Sequence, residues 1–123
     1  MKLRINSNSI RLRLSKTEVA TFGATGIINA ETDFGTNSLY YVLKKENSVD
    51  AICANMTNNT ITVFLPTRIA DNWVNTDTIS LEHKIDLTKG KQLFILVEKD
   101  FKCIDNGSGE DQSDNYENPN KNC

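Results

Sequence analysis

The stretch Asn8-Ser9-Ile10-Arg11-Leu12-Arg13-Leu14-Ser15-Lys16 is answered 51 positions later by Asn59-Thr60-Ile61-Thr62-Val63-Phe64-Leu65-Pro66-Thr67. Asparagine stands over asparagine, Ser9 over Thr60, Ile10 over Ile61, Leu12 over Val63 and Leu14 over Leu65. At the same spacing Phe22 meets Trp73 and Ile28 meets Ile79. Residue type and alternation are both kept, which points to an internal duplication. Apolar residues at every second position mark a strand with one buried face.

Working outward, each copy reads as hairpin, helix, hairpin. Asn8 and Asn58-Asn59 are turn residues between alternating runs at 2–5 and 9–14 and again at 51–56 and 60–65. Ser15 followed by Glu18 is a capping box, and Pro66 suits the first turn of a helix. Helices are predicted over 16–22 and 67–74, with Gly23 as the C-terminal stop of the first. Two further strands close each copy, at 26–34 and 39–45 and at 78–85 and 92–99. The run Leu93-Phe94-Ile95-Leu96-Val97 is continuously apolar, the mark of a deeply buried strand. The expected fold is mostly β (α+β): a compact barrel or sandwich with pseudo-twofold symmetry and two short helices. Repeat one covers 1–47, repeat two 48–104, and an acidic polar tail follows over 105–123. The tail's low apolar content and acidic charge are those of a segment that does not fold on its own.

The chain has 123 residues with a net charge of −2, a one-domain length. No apolar run reaches the ~18 residues of a membrane span. The N-terminus has no apolar block behind its charges, and three cysteines, Cys53, Cys103 and Cys123, fit reduced thiols rather than a disulfide framework. A cytoplasmic setting is expected. Charge is polarised: Lys2, Arg4, Arg11, Arg13 and Lys16 precede any acid, whereas Asp105, Glu110, Asp111, Asp114 and Glu117 crowd the end. If the two ends meet, acids of the tail neutralise the basic hairpin.

Residues 6–16 resemble the opening of the AbrB/MazE-type transcription-factor domain, with an asparagine–serine turn at Asn8-Ser9 and, in the second copy, a proline at Pro66 before the helix. That resemblance implies a closed swapped-hairpin barrel, made here from one chain, and DNA binding. Asn6-Ser7 and Ser15 depart from its pattern. The whole chain, above all its end, Glu110-Asp111-Gln112-Ser113-Asp114-Asn115-Tyr116 with Asn118-Pro119 and Cys123, resembles a small uncharacterised family of bacterial proteins, a resemblance that implies no activity.

Two candidate sites follow. Lys2, Arg4, Arg11, Arg13 and Lys16 form an anion- or DNA-binding set, because alternation puts Arg11 and Arg13 on one strand face and an arginine-bearing ribbon can enter a major groove. Copy two offers Thr62 and Phe64 there, so only half of the pseudo-dimer is basic. Cys103, Cys123, Asp111 and Asp114 form a metal-binding set, with His83 the only histidine. It lacks the tight cysteine pair usual in zinc sites, and the tail lacks an EF-hand pattern. No nucleophile elbow, phosphate loop or His-Glu-x-x-His motif occurs, and no catalytic residue or cofactor is assigned. The reading is a non-enzymatic binding or interaction module for an unknown protein or small molecule, as monomer or homodimer. The alternatives are a DNA-binding regulator and a metal-dependent enzyme or metal-binding protein; nucleic acid is not favoured, and no membrane partner is expected.

Overall fold

The computed structural model describes residues 1–101 and 114–117. The elements run β1 (Lys2–Asn6), β2 (Ser9–Leu14), α1 (Lys16–Thr25), β3 (Ile27–Asp33), β4 (Ser38–Glu46), β5 (Cys53–Thr57), β6 (Thr60–Pro66), α2 (Thr67–Asn75), β7 (Ser80–Asp86) and β8 (Gln92–Lys99). Residues 2–46 and 53–99 thus share one element order.

The strands form two four-stranded sheets, ordered β1-β2-β8-β7 and β3-β4-β6-β5. Hairpins are antiparallel, and the two central pairs are parallel, with Leu12 beside Val97 and Leu43 beside Val63. Each helix carries the chain from one sheet to the other, so each half lends one hairpin to each sheet. The turns that launch the central strands behave alike. Phe94 N–H donates to Asn8 C=O at 3.1 Å and Tyr40 N–H to Asn59 C=O at 2.9 Å.

No closed barrel forms, contrary to what the AbrB/MazE resemblance implies. Closure would require an outer strand of one sheet, β1 or β7, to pair with an outer strand of the other, β3 or β5, and no such ladder exists. The open edges carry charge, as with Lys2 and Arg4 on β1 or Glu82 and Lys84 on β7, the usual protection against edge-to-edge association.

Both sheets and both helices feed one buried cluster. Leu12, Leu14, Ile95 and Val97 come from one sheet, Leu43, Val63 and Leu65 from the other, and Val19, Phe22, Ala70 and Trp73 from the helices. Phe22 and Trp73 meet edge to face, ring centroids 6.2 Å apart. The Trp73 indole N–H donates to Ile79 C=O at 3.1 Å.

Helix α1 starts at the capping box, with both reciprocal bonds between Ser15 and Glu18 present. It does not stop at Gly23. It runs on to Thr25 and is capped by Gly26 at φ 81°, the left-handed conformation glycine adopts freely. Gly23 has another role: a Cβ there would lie 2.7 Å from Val74 Cγ1, so it is the point where α1 approaches α2. Among the described residues, no helix is long and apolar enough to cross a membrane.

Candidate binding site

The basic hairpin is built as expected but is not a free cationic face. Register places Arg4 opposite Arg11 and Lys2 opposite Arg13, like-charge pairs that repel unless acids intervene. Two acids do. Glu98, beside Arg13 on β8, takes Arg13 Nε at 2.8 Å and Arg11 Nε at 3.7 Å. Asp100, 5 % exposed, takes Lys2 Nζ at 3.0 Å and Arg13 at 3.5 Å. The hairpin's charge is offset from within the folded domain, by strand β8 and the residue just after it.

Residues 114–117 sit against this same end of the molecule. Tyr116 N–H donates to Asp100 C=O at 2.7 Å, and Lys16 N–H to Asp114 C=O at 2.9 Å. Asp114 Oδ1 accepts from the Thr17 hydroxyl at 2.9 Å and the Thr17 N–H at 3.2 Å. The two ends of the sequence therefore meet, but Asp114 caps the start of α1 rather than reaching the arginines. An anion there complements the helix dipole. Lys16, expected in the anion site, has its ammonium 6.0 Å from the Tyr116 ring centroid instead.

Two carboxylates in this seam are held ionised. Burial works against the charge of Glu18, but the Met1 ammonium and the N–H and hydroxyl of Ser15 outweigh it and hold its pKa below the ordinary glutamate value. The Ser15 hydroxyl, with Thr17 and the charge of Lys16, outweighs the opposing desolvation and lowers the pKa of Asp114. A carboxyl whose pKa is lower folded than unfolded stabilises the fold above the unfolded value, about 3.9 for Asp and 4.3 for Glu. That stability is lost as the pH falls through the folded values. Acid titration followed by far-UV dichroism should show stability dropping below about pH 5, with a shallower fall for Asp114→Asn. An unchanged slope in that variant would remove Asp114 from the account.

Lys99 is the least expected polar residue. It is 5 % exposed, with its ammonium donating to Thr76 C=O at 2.8 Å. The same group lies 5.7 Å from the Trp73 ring centroid and 5.6 Å from that of Tyr116, a cation–π arrangement. Burial lowers its pKa, partly opposed by Asp77. Its partners are all internal, so it secures Tyr116 to the core.

Of the proposed metal set, Cys103, Cys123 and Asp111 lie outside the described residues, and Asp114 is committed to α1. Among the described residues, no three His, Cys, Asp or Glu side chains are grouped to hold a metal. Cys53 lies in β5, half-buried, its pKa raised by that burial.

A groove of about 390 Å³ opens between the β1–β2 hairpin and strands β5 and β6. Ile5, Ile10, Ala54, Met56, Ile61 and Leu93 line it, with serine and asparagine completing the wall and no charged residue among them. Ile5 and Met56, 51 positions apart like Ile10 and Ile61, are 58 % and 66 % exposed. Both halves thus present a solvent-facing apolar side chain at one mouth.

The profile of one protein family, described as a family of unknown function (DUF7009), matches residues 1–120. The chain belongs to that family. This agrees with the uncharacterised family suggested by residues near the C-terminus. Neither the curated proteins nor the solved structures yield a match.

For this family member two further features, the burial of Lys99 and the apolar groove, also leave signals in the sequence. Ile95, Val97 and Lys99 follow one two-residue alternation, so Lys99 belonged on the buried face. Ile5 and Met56 share the 51-residue spacing of the core pairs, yet stand beside the turns. An apolar residue repeated at a hairpin tip is the trace the groove leaves in sequence.

Proposed function

We propose that the protein is a duplicated, non-enzymatic binding module that takes a small uncharged apolar molecule in the groove between the β1–β2 hairpin and strands β5 and β6. The carrying observation is the lining: apolar side chains from both halves around about 390 Å³, without a charge among the described residues that line it. That volume falls in the range of small-molecule pockets. A charged ligand group would lose water there and find no counter-ion, a cost of several kcal/mol. Exposed Ile5 and Met56 give the groove an apolar rim, a feature that marks ligand grooves and interaction sites. The DNA-binding alternative has less support, because Glu98 and Asp100 already offset Lys2, Arg11 and Arg13.

The test uses Nile red, an uncharged apolar dye, titrated by fluorescence against wild type and Met56→Lys. Met56 is 66 % exposed, so the lysine leaves the core untouched. The expected result is one dye per chain for wild type and at least tenfold weaker binding for the variant, about 1.4 kcal/mol. Equal binding by both proteins would overturn the proposal. So would a dimer that forms without dye and is broken by Met56→Lys, since the groove would then serve a second copy.

A further inference from the structure

A second cleft, of about 540 Å³, lies between α2, β7 and the segment before β5. Its apolar floor includes Ile52, 5 % exposed, and Leu81. Around that floor stand Arg68, His83 and Asp50, while Glu82, between Leu81 and His83 on β7, turns its side chain to the opposite, exposed face. None of the side chains of Arg68, His83 and Asp50 has a hydrogen-bond or ion-pair partner among the described residues. This contrasts with the hairpin seam, where Lys2, Arg11 and Arg13 all meet acids. Charges of both signs, unspent and gathered round an apolar floor, match a molecule carrying both signs and an apolar body.

The first half shows what such a place can hold. Fifty-one positions back, Ile52 corresponds to Met1, Arg68 to Thr17 and Ile69 to Glu18. There the chain supplies both charges itself. The Met1 ammonium pairs with Glu18, and the Asp114 carboxylate bonds the N–H and hydroxyl of Thr17. The second half has no such internal occupants among the described residues. It carries a guanidinium where Thr17 receives a carboxylate, and its acid, Asp50, stands on the segment before β5.

We infer that this cleft binds a small zwitterion with an apolar side chain, of the class of an aliphatic α-amino acid. Its carboxylate meets Arg68, the donor best suited to a bidentate carboxylate contact, with His83 as a further donor. Its ammonium meets Asp50, and its side chain covers Ile52 and Leu81. This site goes beyond the uncharged groove, and the two stand or fall separately.

Calorimetric titration tests it with leucine, with 3-methylbutylamine, which lacks the carboxylate, and with 4-methylpentanoic acid, which lacks the amine. Expected are one leucine per chain and at least tenfold weaker binding of each half-analogue. Arg68→Gln, at an exposed position, should weaken leucine at least tenfold, leave the amine unchanged, and leave Nile red binding as in wild type. Absence of leucine binding, a half-analogue that binds as well as leucine, or an Arg68→Gln protein that binds leucine normally would each overturn the inference.

Discussion

Trp73→Ala should cost about 3–5 kcal/mol of stability, the range for truncating a buried aromatic residue, and should be the most damaging single truncation in the core. Three losses coincide. Trp73 is wholly buried and has the largest side chain among the fully buried residues. Its indole N–H donates to Ile79 C=O, an acceptor that keeps the Lys99 N–H at 3.0 Å, so this loss is that of one ordinary hydrogen bond, about 1 kcal/mol. Its ring also faces the Lys99 ammonium, so removal leaves a nearly buried charge with less compensation. Urea unfolding followed by far-UV dichroism is the appropriate measurement, because the chain has one tryptophan and fluorescence vanishes with it. Trp73→Phe should recover most of the loss, since it keeps the ring and gives up the hydrogen bond. Because Phe22 touches Trp73, Phe22→Ala and Trp73→Ala should be non-additive, as neighbouring sites are. A cost under about 1 kcal/mol for Trp73→Ala would mean that the helices are not seated as described.

The element order was legible because it rests on alternation, which one face of burial imposes on every strand. Ile10, Leu12 and Leu14 must point one way, and Ile61, Val63 and Leu65 must do the same. What the pattern could not show was which strands pair. Alternation reports the face of a strand, not its neighbour, so the parallel joins β2–β8 and β4–β6 and the open sheet edges had to come from the structure. The candidate site was less legible for a related reason. Arg11 and Arg13 read as an exposed cationic face, but Glu98 and Asp100 lie more than 80 residues away and reach them only through the β2–β8 pairing. A charge pattern along one strand says nothing of the acids that a long-range ladder brings beside it. Ser15 and Glu18 were readable as a cap because that interaction is local.

The two halves share their core and differ in their clefts. The groove is the one candidate site to which both contribute matched residues, Ile5 with Met56 and Ile10 with Ile61. The cleft at α2 is the opposite case: its Arg68 stands where α1 has the uncharged Thr17. A change at Met56 should therefore act on one ligand, and a change at Arg68 on another.

Gly23→Leu should destabilise the protein by about 3 kcal/mol, the upper end of the usual overpacking penalty. The sequence suggested a helix terminator here, and a terminator would tolerate the change at modest cost. In the structure, Gly23 lies inside α1 with Val74 of α2 close above it, 2.7 Å from where a Cβ would stand. A leucine must force the helices apart, and with them Phe22 and Trp73, the neighbours of Gly23 and Val74 in sequence. Gly23→Ala separates the competing terms. Alanine gains up to about 1 kcal/mol of helix propensity, yet its methyl still meets a β-branched side chain with little freedom to turn. The net effect should remain destabilising. Val74→Ala removes the obstructing methyl groups, so the double variant Gly23→Ala with Val74→Ala should be more stable than the sum of its parts by at least 0.5 kcal/mol, the coupling expected of residues in contact. If Gly23→Ala instead stabilises the protein with Val74 in place, the helices do not approach at this residue, and its role reverts to helix propensity alone.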